Sequence, residues 1–142
     1  MIIPDVNVLV YAHNTGIPEH EAARAWWESV VNGAEPVGLA WMAILGFVRL
    51  MSDPNVAARP QPPASLLARV ESMLAVPGVR LIAPGPRHAT LMREFFESTG
   101  AGPRLVTDVH LATLSMELDA ILATNDSDFA RFPGLRTVNP LE

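Results

Sequence analysis

The stretch IIPDVNVLVYA, residues 2–12, decides the fold because two local patterns meet in it at a single acidic residue. The apolar pair before Asp5 is typical of a short buried strand, and the apolar run after Asp5 continues without turn residues, which favours a helix. A charged side chain between two apolar runs costs free energy unless it caps a helix or binds a ligand. Asp5 is therefore the first candidate for a functional residue.

Strand and helix patterns alternate along the rest of the chain. Turn residues separate them, and 55–63 is a proline-rich loop. Helices are predicted over 18–31, 41–51, 65–75, 87–98 and 106–118, and strands over 36–40, 79–83, 120–123 and 135–138. Such alternation favours a parallel sheet with helices on both faces. The predicted fold class is α/β, a three-layer α/β/α sandwich with a mostly parallel central sheet, in a single domain over residues 1–142.

Composition excludes several classes of function. No stretch approaches the roughly 20 apolar residues that span a bilayer, so we expect no membrane insertion and a cytoplasmic location. Cysteine is absent, which excludes disulfides, cysteine-ligated zinc and thiol nucleophiles. All ten basic residues are arginines, which excludes chemistry that needs a lysine. Because the net charge is −5, any contact with nucleic acid must be local.

Three aspartates from distant parts of the chain are predicted to meet at one edge of the sheet. Asp5 and Asp126 follow predicted strands, and sites in open α/β sheets form beyond the carboxyl ends of the strands. Asp108 lies near a predicted helix start, where exposed N–H groups favour an ionised carboxylate. Like charges packed together need a cation, so this convergence predicts a hard divalent metal ion, Mg²⁺ or Mn²⁺. Taken singly, each of these acids also fits a helix cap or a solvated turn.

Asp128 lies two positions after Asp126 in a polar turn. This spacing allows both acids to bind one metal ion, and it equally allows one of them to cap the turn while the other binds the ion. The spacing alone does not choose between these two arrangements.

Three motifs give the chain a resemblance to a known family. They are DVNVLVYA at residues 5–12, TDVHLATL at 107–114, and TNDSDF at 124–129 with FPGL after it at 132–135. In this order and spacing they resemble the PIN-domain toxins of the VapC family. The resemblance implies the toxin of a type II toxin–antitoxin pair. Such a toxin is an endoribonuclease that needs Mg²⁺ or Mn²⁺ and cleaves RNA phosphodiesters by metal-activated water. The resemblance also implies a homodimer and inhibition by a cognate antitoxin.

The resemblance also implies roles for individual residues. Asp5, Asp108 and Asp126 match the metal-binding acids of the family, and Asp128 matches the neighbouring acid as a fourth catalytic residue. Asn7 matches a polar residue near the first acid. The chain departs from the family at Gly46, where many members carry a glutamate, and this departure removes one possible metal contact.

Other polar and aromatic residues have simpler interpretations. Arg49 and Arg104 are candidates for phosphate contact because a guanidinium pairs well with phosphate oxygens, although surface solubility also explains them. The four histidines lack a spacing that places two on one helical face, so they are left outside the metal site. The adjacent Trp26 and Trp27 are expected along the rim of one broad apolar helix face.

Two other functions remain open at this point. The first is a phosphotransferase of the haloacid-dehalogenase kind, in which Asp5 attacks phosphorus. Such enzymes usually carry Asp-x-Asp and a lysine, whereas this chain has Asp5-Val6-Asn7 and no lysine. The second is a catalytically silent PIN fold that only binds its antitoxin. The reason to consider it is Gly46, which stands where many family members carry a glutamate.

Overall fold

A five-stranded parallel sheet forms the centre of the protein. The computed structural model describes residues 1–142. The strands are β1 (Ile2–Pro4), β2 (Val37–Ala40), β3 (Val79–Ile82), β4 (Ile121–Ala123) and β5 (Arg136–Val138). They lie in the order β3-β2-β1-β4-β5, so β1 is central and every neighbouring pair runs parallel.

Six α-helices cover the sheet. They are α1 (Val6–His13), α2 (His20–Val31), α3 (Trp41–Met51), α4 (Pro63–Leu74), α5 (His88–Thr99) and α6 (Val106–Glu117), with two short 3-10 helices at Pro103–Leu105 and Ser127–Arg131. No helix combines the length and the apolar character that crossing a membrane requires.

The buried side chains form two clusters on opposite faces of the sheet. One cluster joins α1, α2, α3 and α4 around Phe47, and the other joins α6 to the second 3-10 helix around Phe129. Within β2, Val37 and Leu39 belong to the first cluster and Ala40 to the second, because alternate side chains of a strand point to opposite faces. The predicted three-layer α/β/α sandwich is therefore confirmed.

Most predicted elements lie within two residues of their observed bounds. The apolar segment Trp41–Met51 is helical over its predicted length. Helix α2 begins at His20 rather than residue 18, because Pro18 and Glu19 form a turn before it. Helix α4 begins earlier than predicted, at Pro63. Proline is favoured at a first helical position because its fixed φ suits the helix and its missing N–H is not needed there.

Candidate active site

The strand order reverses at β1, and this reversal opens a crevice. From β1 the chain builds β2 and β3 on one side of the sheet, and later β4 and β5 on the other. Pro4 pairs with Ala123, so Asp5 and Thr124, the next residues of β1 and β4, leave the sheet side by side. Ligands of open α/β folds bind at such a point, where connections on either side of one strand diverge.

Asp5 is held by hydrogen bonds to both of its carboxylate oxygens. It caps α1, with its Oδ1 accepting from the Val6 backbone N–H at 2.7 Å. Its Oδ2 accepts from the Thr124 hydroxyl at 2.9 Å. Burial raises the pKa of Asp5 above its usual 3.8, and these two hydrogen bonds offset part of the rise. Each oxygen keeps a second lone pair, so the cap does not prevent Asp5 from accepting another partner.

Thr124 links two of the predicted site acids. Its hydroxyl donates to Asp5 and accepts from the backbone N–H of Asp126 at 3.0 Å. Thr124 lies within the TNDSDF motif, and no role was predicted for it from the sequence. A threonine two positions before Asp126, directly after a strand, is typical of a local hydroxyl-to-backbone turn. This pattern indicates the hydrogen bond to the Asp126 N–H but not the one to Asp5.

Asp108, Asp126 and Asp128 form a tight acidic cluster. One carboxylate oxygen from each lies within 4.8 Å of the others. Burial, together with the charges of Asp126, Asp5 and Asp128, raises the pKa of Asp108 from 3.8 to about 6. We expected the start of α6 to favour the ionised form of Asp108. In the structure the pKa of Asp108 is raised, because burial and three neighbouring acids outweigh the effect of the N–H groups at the helix start.

A cleft of about 460 Å³ brings Asp5, Asp108 and Asp126 onto one surface. Its other lining residues include Asn7 and Arg49, which were singled out from the sequence, and Gly46. Asp128 belongs to the acidic cluster but does not line this cleft. We call this space the acidic cleft.

Asp128 is paired with two arginines. Its Oδ2 accepts from Arg104 and its Oδ1 from Arg131, each at 3.2 Å. The Arg104 side chain is 74% exposed, so it can leave Asp128 at little cost. Arg104 also lowers the pKa of Asp108, although burial and the acids outweigh it. Asp128 therefore holds the positive charge of an arginine beside the acidic cluster. Arg49, by contrast, makes no ion pair.

The donor set of the cleft fits a divalent metal ion. Carboxylate oxygens are the ligands that hard cations prefer, and Asp5, Asp108 and Asp126 line the cleft. Asp108 and Asp126 lie within 4.8 Å of each other and of Asp128, and Asp5 is not part of that tighter group. Burial raises the pKa of Asp108, and repulsion from the neighbouring acids adds to the rise; a bound cation would relieve both effects. The residues present therefore suit an ion that binds through oxygen.

Position 46 has no room for a side chain. A Cβ atom on Gly46 would lie 2.8 Å and 2.9 Å from the two Cγ atoms of Val6, because α3 packs closely on α1. A glutamate at this position therefore requires Val6 to move. In this chain the side chain of Val6 occupies the space that a side chain at position 46 would need.

We expect Gly46→Ala to lower the free energy of unfolding by about 1 kcal/mol or more, because the overlap with Val6 outweighs the gain in helix propensity. Urea unfolding measures this change. Gly78→Ala is the control, since a Cβ there meets nothing within 4 Å. The double variant Val6→Ala, Gly46→Ala should lose less unfolding free energy than the sum of the losses of the two single variants, because the smaller side chain at position 6 removes the overlap. A Gly46→Ala protein as stable as the wild type would show that the helices separate freely.

We expect Asp108→Asn to stabilise the metal-free protein above pH 6. The pKa of Asp108 is raised from 3.8 to about 6, so the unfolded chain loses this proton first and stability falls as pH rises through that window. The substitution should add about 1 kcal/mol near pH 8, after allowance for the solvent screening of this half-exposed group, and nothing below about pH 4. Urea unfolding with chelator at both pH values measures it, with the exposed Glu94→Gln as control. An Asp108→Asn variant that is less stable than the wild type near pH 8 would contradict the raised pKa of Asp108.

The histidines and tryptophans lie outside the acidic cleft. His88 makes a short hydrogen bond to Glu117, and its Nε2 lies 2.8 Å from the Nδ1 of His110. This group joins α5 to α6. Trp27 is buried in the first core cluster and Trp26 packs against it, as expected for one broad apolar face.

Known proteins share this sequence and this fold. The PIN domain family matches residues 2–135. Ribonuclease VapC33 of Mycobacterium tuberculosis is 43% identical over 141 residues, which cover 99% of each chain. A solved structure of VapBC-1 from nontypeable Haemophilus influenzae covers 100% of both chains with a TM-score of 0.70 at 14% identity. A toxin–antitoxin complex from Klebsiella pneumoniae covers 100% of this chain and 99% of the other with a TM-score of 0.65 at 14% identity. At these identities the two structures show a common fold.

Proposed function

This chain belongs to the PIN-domain family, and on that premise we propose that it is a metal-dependent endoribonuclease, the toxin of a type II toxin–antitoxin pair. The observation that carries the proposal is the meeting of Asp5, Asp108 and Asp126 around one open cleft at the reversal of the sheet. The similarity to ribonuclease VapC33 over nearly the whole of both chains supports RNA as the substrate.

Asp5, Asp108 and Asp126 would hold Mg²⁺ or Mn²⁺ in this cleft, with Asp128 completing the set of catalytic acids. A bound divalent ion lowers the pKa of water and neutralises charge that develops on a phosphodiester. Thr124 keeps the carboxylate of Asp5 and the backbone of Asp126 in fixed positions. The products would be a 5′-phosphate and a 3′-hydroxyl.

The arginines beside the cleft would bind the substrate. Arg49 lines the cleft without an ion pair, so its guanidinium is available to a phosphate oxygen. Arg104 is paired with Asp128 at 3.2 Å and is mostly exposed, so it can exchange this partner for a phosphate. Together they supply the local positive charge that a chain of net charge −5 needs to hold RNA.

We propose an antitoxin protein as the partner, because the solved proteins of this fold include a toxin–antitoxin complex. The same proposal includes a homodimer and action in the cytoplasm, where RNA substrates are found. Co-expression with the neighbouring reading frame, followed by size-exclusion chromatography with light scattering, tests both assemblies. A chain that elutes as a monomer with and without the neighbouring product would contradict them.

The decisive experiment compares two kinds of substrate. The purified protein in Mn²⁺ should cut RNA internally and leave a phosphate monoester untouched, since the cleft binds a diester chain and the protein has no lysine for a phosphotransferase site. Chelator should stop the cleavage, and added Mn²⁺ should restore it. Gel analysis of end-labelled RNA follows the products. Monoester hydrolysis, or RNA cleavage unchanged by chelator, would overturn the proposal.

A further inference from the structure

A second cleft lies where α1, α2 and α4 meet the loop before α4. Its volume is about 530 Å³, and its lining contains five basic side chains and one acid: His13, His20, Arg24, Arg59, Arg69 and Glu28. None of these residues lines the acidic cleft. We call this space the arginine cleft.

The arginine cleft carries uncompensated positive charge. Arg24 pairs with Glu28 at 2.9 Å, which accounts for the one acid. Arg59 and Arg69 are exposed and make neither an ion pair nor a side-chain hydrogen bond. Two free guanidinium groups at one cavity, in a chain of net charge −5, indicate a site for an anion.

Two histidine rings in the wall are fixed in orientation. His13 Nδ1 donates to the Leu9 carbonyl at 2.7 Å, and His20 Nδ1 donates to the Tyr11 carbonyl at 2.9 Å. Because a carbonyl only accepts, Nδ1 carries the hydrogen and Nε2 of each ring is left for a ligand. Burial is the main cause of the lowered pKa of His13, and the charge of Arg69 adds to it. The arginines carry a lasting charge in the cleft, because a guanidinium stays protonated.

The two clefts lie at opposite ends of α1. Val6 lines the acidic cleft and His13 lines the arginine cleft. These residues are two helical turns apart, which corresponds to about 10 Å along α1. On α3, Arg49 lines the first cleft and Met51 the second. Arg49 and Met51 are two positions apart on α3, so the two clefts come close to each other at the C-terminal end of this helix.

We propose that the arginine cleft binds a phosphate group of the single-stranded RNA substrate, a few nucleotides from the bond cut in the acidic cleft. This inference rests on the proposed ribonuclease function. A phosphodiester backbone presents a regular series of anions, and arginine contacts to it are independent of sequence.

The test replaces both free arginines. The double variant Arg59→Ala, Arg69→Ala should bind a fluorescein-labelled RNA of about a dozen nucleotides about tenfold more weakly, by anisotropy in chelator so that no cleavage occurs. The slope of log Kd against log salt should fall by about 0.7, the value for the loss of one phosphate contact on a single strand. The double variant Arg59→Lys, Arg69→Lys should keep most of that slope because it keeps the charge. Cleavage of a trinucleotide in Mn²⁺ should be unchanged, since it is too short to reach the arginine cleft.

Arg80→Ala, Arg87→Ala is the matched control. It removes the same charge from two exposed arginines that line neither cleft and make no ion pair. Equal losses of binding in the two double variants would overturn the inference, because they would reflect net charge alone. RNA binding unchanged in the first variant, with lost binding of an oligoglutamate peptide, would assign the cleft to a protein partner and overturn it too. Wild-type protein that neither binds nor cuts RNA would overturn the proposed function itself.

Discussion

Asp5→Asn and Asp108→Asn should each lower the rate of RNA cleavage by about a thousandfold while the protein stays folded. Each substitution keeps the size of the side chain and removes one negative charge from the acidic cleft. At Asp5 it also breaks a hydrogen bond, because an amide group has one oxygen and cannot accept from both Val6 and Thr124 in the present geometry. Single-turnover cleavage of labelled RNA in Mn²⁺ measures the effect.

Asp119→Asn is the control for these variants. It removes the same charge from an aspartate whose side chain is 96% exposed and lies outside the acidic cleft. Its cleavage rate should match the wild type. Equal products from the wild type and both site variants would mean that the acidic cleft does not catalyse the reaction, and circular dichroism would confirm that each variant is folded.

The secondary structure could be predicted because its signals are local. Trp41–Met51 is an apolar run that ends at Ser-Asp-Pro, and it forms α3 over the predicted residues. Asp5 could be placed at a strand end because it interrupts an apolar run, and a cap to α1 follows directly from that position. Patterns of this kind depend on neighbours within a few residues, which the sequence displays.

The finer geometry of the site depends on contacts between distant residues. Thr124 and Asp5 are 119 positions apart, and Arg104 and Asp128 are 24 apart. No periodicity in the chain encodes these pairs, because they arise only when β4 lies beside β1 and the second 3-10 helix packs near α6. The overlap of Gly46 with Val6 is of the same kind, since it depends on how closely two helices approach.

Thr124→Ala should lower the cleavage rate by about 10- to 100-fold, the range seen when a group that orients a metal ligand is removed. The hydroxyl of Thr124 is the donor to Asp5 Oδ2 at 2.9 Å and the acceptor for the Asp126 N–H at 3.0 Å, so its loss frees two groups of the cleft at once. Because Thr124 acts through these groups, the Mn²⁺ concentration for half-maximal rate should also rise. Thr124→Ser keeps the hydroxyl and should restore both quantities.

Thr113→Ala separates this role from the general cost of removing a buried hydroxyl. Thr113 is fully buried, but its hydroxyl donates only to the Val109 carbonyl within α6. Its variant should lose stability without a change in the Mn²⁺ requirement. If Thr124→Ala behaved in the same way, with a lower unfolding free energy and an unchanged Mn²⁺ dependence, Thr124 would serve the fold alone. The connection from β4 to Asp5 would then not position the acids of the cleft.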